Sequence, residues 1–81
     1  MAPMQRLSNR WSWIEDLVDG EGEITIGRMG SVRCAAIATD DDVLAMLARR
    51  PGESLEDLLT RLDDAVRLAM EEATYTDEIN A

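Results

Sequence analysis

Carboxylates are almost the whole chemical inventory of this chain of 81 residues: seventeen Asp and Glu stand against eight arginines, with no lysine, no histidine, one cysteine and one tyrosine. That composition removes most side chains that enzymes use as bases, nucleophiles or metal ligands. An enzyme would need a carboxylate pair, such as Asp41 with Glu71, to meet in a cleft, and no sequence feature brings those two together. The chain is therefore read as non-enzymatic, without catalytic residues, cofactor or metal. A different use of carboxylates fits better. Asp57, Asp64 and Glu71 recur every seven residues, which on a helix lines them along one stripe about 10 Å apart. Glu56, Asp63 and Glu72 flank the row, and Leu68 is a large apolar residue on the same polar side. Such a row imitates the regular charge of a nucleic-acid backbone. The expected partner-binding face is Asp57, Asp63, Asp64, Leu68, Glu71 and Glu72, although Arg61 and Arg67 interrupt it and a merely solvated face has the same appearance.

The overall charge is −9, large for so small a domain because self-repulsion opposes compaction. It is also uneven. Residues 1–39 carry five acids and four arginines, whereas residues 40–81 carry twelve acids and four arginines. Phosphate-tracking surfaces need clustered Lys and Arg, so neither direct nucleic-acid binding nor docking on an anionic membrane is expected of the C-terminal half. A basic, nucleic-acid-binding protein or complex is the expected partner, met by a monomer or a homodimer. The N-terminus lacks a positive segment leading into an apolar one, and Cys34 cannot form an internal disulfide, so a cytoplasmic location is expected.

Three further clusters have plainer explanations. Asp40, Asp41 and Asp42 point in different directions if they open a helix, and there they complement the positive end of the dipole better than they chelate a cation. The segment Leu17 to Thr25 is similar to the middle of an EF-hand loop, with acids at Asp19 and Glu21, then Gly22 and Ile24. It departs where Leu17 and Arg28 stand in place of the first and last ligands, which leaves an acidic, glycine-rich turn. Trp11 and Trp13 serve either as core bulk, needed in a chain without phenylalanine, or as interface anchors.

The elements that must position these residues follow from periodicity. One domain spans 1–81, with 1–7 and 75–81 expected to be mobile or loosely docked. Leu55, Leu58, Leu59, Leu62, Val66, Ala69, Met70 and Ala73 fall on one helical face, with Ser54 as N-cap and Asp57 three residues on. A shorter helix is expected from Thr39 to Arg50, burying Val43, Leu44 and Leu47 and stopped by Pro51. Glu23–Arg28 and Val32–Ala38 read as a hairpin turning at Met29-Gly30-Ser31. Residues 9–18 fit a third antiparallel strand or a short helix, with the strand slightly favoured. The expectation is a small two-layer α+β domain, a hairpin or three-stranded sheet packed on two C-terminal helices.

From Ser31 to Glu72, with Gly52-Glu53-Ser54 between two helices, the chain resembles a ribbon-helix-helix domain. That resemblance implies an intertwined dimer, a regulator or antitoxin, reading DNA through paired strands and here chiefly through Arg33. Glu56 and Asp57 depart from it by placing acids where phosphates would approach. The stretches Leu47–Leu55, Leu58–Asp63 and Asp77–Asn80 also resemble the C-terminal half of small uncharacterised bacterial and prophage acidic proteins. At the level of class the chain is similar to phage anti-CRISPR inhibitors, which implies a DNA mimic that occupies the basic surface of nucleic-acid-binding machinery.

Overall fold

A computed structural model describes residues 11–80. In chain order these form α1 (Ser12–Asp19), β1 (Glu23–Met29), β2 (Val32–Thr39), β3 (Val43–Ala48), α2 (Leu55–Glu72) and β4 (Thr76–Asp77). The strands make one sheet in the order β1-β2-β3-β4, antiparallel between the first three and parallel between β3 and β4. Both helices lie on one face of it, so the architecture is two-layer α+β with four strands and one helix on each side of the antiparallel meander in sequence.

The core forms where α2 meets the sheet. Leu58, Leu62, Ala65, Val66 and Ala69 of α2 pack over Ala36 and Ala38 of β2 and Leu44, Ala45 and Leu47 of β3, and Ile14 and Leu17 of α1 complete the cluster. The alanines are small enough for the helix to approach the strands closely. Leu47 of β3 with Leu58, Leu62 and Val66 of α2 are the largest side chains fully buried between the two layers.

The β1–β2 hairpin turns through Gly30, whose φ of 58° is left-handed and favours glycine, and pairs Met29 with Val32 as the turn chemistry requires. Ser54 caps α2 as expected, its Oγ accepting the Asp57 N–H at 3.0 Å.

The helix expected over Thr39–Arg50 is instead the third strand. Asp40, Asp41 and Asp42 do not open a helix; they form its turn from β2, with the Asp40 carboxylate accepting the Asp42 N–H and the Asp40 N–H donating to the Asp42 carbonyl, both at 3.0 Å. The misleading spacing has a cause. The β2–β3 register shifts between Ala38 and Thr39, and this bulge lets consecutive residues Leu44 and Ala45 both enter the core, with Leu47 following. The burial pattern then imitates a helical face. Arg49 and Arg50 accordingly close no helix; the Arg49 N–H extends the ladder to the Cys34 carbonyl at 3.0 Å.

Of residues 9–18, where the sequence slightly favours a strand over a short helix, residues 12–18 belong to the helix Ser12–Asp19. The N-cap Trp11 offers no side-chain cap, but the Asp63 carboxylate of α2 accepts the N–H groups of Trp13 and Ile14 at 2.9 and 3.1 Å. A group fifty positions away supplies the start signal that the local sequence lacks. The C-terminal tail is likewise not loosely docked over its described residues. Thr76 and Asp77 pair with Ala45 and Met46, the Glu78 N–H donates to the Met46 carbonyl at 2.8 Å, and Asp77 accepts the N–H groups of Ile79 and Asn80. Residues 1–10 and 81, which include the segment 1–7 and the beginning of 9–18, lie outside the described residues.

Candidate protein-binding surfaces

The α2 stripe is present but altered. Asp57, Asp64, Glu71 and Glu72 are exposed along an 18-residue helix. Arg67 sits among them, with Nη2 at 2.8 Å from Asp64 and Nη1 at 3.4 Å from Glu71 and 3.8 Å from Glu72. The Asp64 carboxylate above all holds the Arg67 guanidinium pKa above its ordinary value.

Asp63, expected on that face, points inward and is 8% exposed. One residue beyond the stripe, it turns to the side where α1 packs, and its oxygen caps α1. Burial pushes the Asp63 carboxyl pKa up, while the N–H donors of Ile14 and Trp13 pull against that rise. Leu68 is half-buried and borders a cavity of about 300 Å³ with Leu47, Arg61, Thr76 and Glu78, because the docked tail runs beside it. It is not the isolated apolar anchor that the helical projection implied.

Sequence reasoning missed an ion-pair hub on the other flank of α2. The Arg61 guanidinium donates to both carboxylate oxygens of Glu53 at 2.7 and 3.0 Å, to Glu78 at 2.9 Å and to the Ala48 carbonyl at 3.0 Å. It ties the loop before α2, the end of β3 and the tail to one side chain. These hydrogen bonds, with the Arg50 N–H, lower the Glu53 pKa from 4.5 to about 2. Glu53 in turn raises that of Arg61, as does Glu78. Spacings of eight and seventeen residues carry no periodic signal, so nothing local announced the hub.

A third surface lies where α1 meets β1. Trp11, Ile14, Glu15, Val18, Asp19, Ile24 of β1 and Leu59 of α2 line an open, almost wholly apolar groove of about 310 Å³. Residues 12–27 hold five acids and no base in the sequence, and Asp19, Glu21 and Glu23 among them are exposed. The signal for this surface was legible: Trp11, Ile14, Glu15 and Val18 follow one helical face once residues 12–19 are read as a helix. Trp11 and Trp13 are both partly buried against the core, and Trp11 Nε1 donates to the Thr60 hydroxyl at 3.1 Å.

The remaining candidates are dispersed. The EF-hand-like segment is the end of α1, a turn and the start of β1. Gly22 packs so tightly that a Cβ there would lie 2.9 Å from the Leu17 carbonyl oxygen, so the glycine serves packing. No cluster of three or more Cys, Asp or Glu able to hold a metal occurs among the described residues. Asp41 in the β2–β3 turn and Glu71 on α2 are both exposed, and neither borders the groove or the cavity above. Cys34 is partly buried against the core. Arg33 is exposed, but β2 is flanked by β1 and β3, so this strand has no free edge for an intermolecular ribbon. No described helix is long and apolar enough to cross a membrane. No family model matches the chain, and no curated protein or solved structure is significantly similar to it.

Proposed function

We propose that the protein is a non-enzymatic inhibitor that docks on a basic, nucleic-acid-binding surface of a partner protein. The observation that carries this reading is the exposed row Asp57, Asp64 and Glu71 on a long helix whose start is fixed by Ser54 and whose opposite face is locked into the core. A rigid scaffold keeps the carboxylates in register, so a complementary cationic groove meets them without ordering any backbone. Arg67 weakens the row locally and leaves Asp57 outside its reach. The ribbon-helix-helix alternative loses its support, because a strand stands where that family's first helix belongs and β2 is internal to the sheet.

The test is capture from an extract of the source cells, with wild type and an Asp57→Lys, Asp64→Lys, Glu71→Lys variant in parallel and duplex DNA as competitor. The proposal expects nucleic-acid-binding proteins that are retained by wild type, lost with the variant and displaced by DNA. Retention that ignores both the reversal and the competitor would overturn it.

A further inference from the structure

Among the described residues β1 is an edge strand of the sheet, paired with β2 alone. At the opposite end of the sheet, β4 and Glu78 already cover the edge of β3. Ile24 and Ile26 of β1 project on the helical side, paired with Ala38 and Ala36, and Ile26 remains 39% exposed. Ile24 also lines the apolar groove beneath α1, beside Val18, which is 50% exposed. A sheet edge and an apolar groove beside it are the two elements of recognition by strand addition: main-chain hydrogen bonds give affinity and the groove selects alternate side chains.

Charge along the edge sets the chemistry of the occupant. Asp19, Glu21 and Glu23 gather at the beginning of β1, whereas Arg28 stands near its end. We propose that this edge binds a short extended segment of a partner protein, apolar at alternate positions and basic at one end, added to the sheet as a fifth strand. In the antiparallel sense that β1 already uses with β2, the Lys or Arg residues sit at the segment's C-terminal end, against Glu23 and the preceding turn. A second copy of this chain is a poor occupant, since each copy carries −9. The inference rests on the reading of the protein as an acidic binding module, but it uses a different surface from the α2 row.

The test is an NMR titration of the full, 15N-labelled chain with an acetylated, amidated peptide Thr-Val-Thr-Leu-Thr-Lys-Arg. Amide shifts should concentrate on 23–29 and on the groove residues of α1. Affinity should fall roughly tenfold or more when Lys-Arg is replaced by Glu-Glu, and again with the Val18→Lys variant, whose exposed site tolerates the change. Absence of β1 shifts up to about 1 mM peptide would overturn the proposal. Shifts of β1 that track protein concentration without peptide would overturn it in favour of a second copy. Shifts confined to the α2 row, or capture that depends on Asp57, Asp64 and Glu71 while the peptide is ignored, would sink the edge and leave the acidic reading standing. Peptide binding to β1 with capture indifferent to the α2 reversal would support the edge and sink the α2 row.

Discussion

Around Arg61 three chain segments converge, and each brings an oxygen: Glu53 before α2, Ala48 at the end of β3, and Glu78 in the tail. At the corner of α1 and β1 the sequence also gathers acids, Asp19, Glu21 and Glu23 among them, with an apolar groove alongside. The first region spends its carboxylates on holding the fold together. In the second, Asp19, Glu21 and Glu23 stay exposed around an edge strand. Net charge alone does not separate the two, and a surface becomes a binding candidate only after the internally answered acids are subtracted.

The widest gap between the regions should appear at Arg61. Arg61→Ala strips donors from two carboxylates and a backbone carbonyl, and should cost about 2 kcal/mol in urea denaturation; the guanidinium's 21% exposure keeps this below the cost of breaking a fully buried pair. Hydrogen exchange should speed up at Glu78 in the same variant. The hub also sets a pH signature. Because the folded Glu53 pKa is about 2, below its ordinary 4.5, its contribution is present above pH 4.5 and lost as pH falls towards 2. Arg61→Ala should flatten that limb of an acid-unfolding curve. If the curve keeps its slope, the hub is not where acid stability resides.

Asp63 comes next. Asp63→Ala removes the acceptor for two helix N–H groups and should cost about 1 to 2 kcal/mol, whereas Asp63→Asn keeps an acceptor and should cost less. The pH sense is opposite to that of Glu53. With its folded pKa raised, Asp63 favours the fold most below its unfolded value, and this contribution fades as pH rises through the folded one. Asp63→Asn should therefore remove a small loss of stability on the alkaline side of pH 4. Ser54→Ala, which deletes the α2 cap, should cost about 1 kcal/mol. Smallest of all is Arg67→Ala. Its partners are exposed, so the unfolding midpoint should not move measurably, and a clear shift would mean that the α2 row is structural in the way the Arg61 hub is.

What could be read in advance follows the range of the interactions. The hairpin and the start of α2 were legible, since Gly30 and Ser54 act within a few residues of themselves. β3 was not, because a bulge gave a strand the burial pattern of a helix at Leu44, Ala45 and Leu47. Nor was α1, whose cap comes from Asp63, nor the docked tail, held through Arg61 and the edge of β3. Of the face expected to bind a partner, Asp57, Asp64, Glu71 and Glu72 emerge exposed as the helical period required. Asp63 and Leu68 do not, since their surroundings are set by α1 and β4, elements that the periodicity of α2 says nothing about.

The central claim is that the exposed α2 carboxylates bind a cationic surface that nucleic acid also uses. Isothermal titration of a captured, DNA-displaceable partner with wild type and with the Asp57→Lys, Asp64→Lys, Glu71→Lys variant tests it directly. The account predicts affinity that falls steeply with added salt and drops at least about tenfold on reversal. Equal affinity for the two proteins, indifferent to salt, would contradict it.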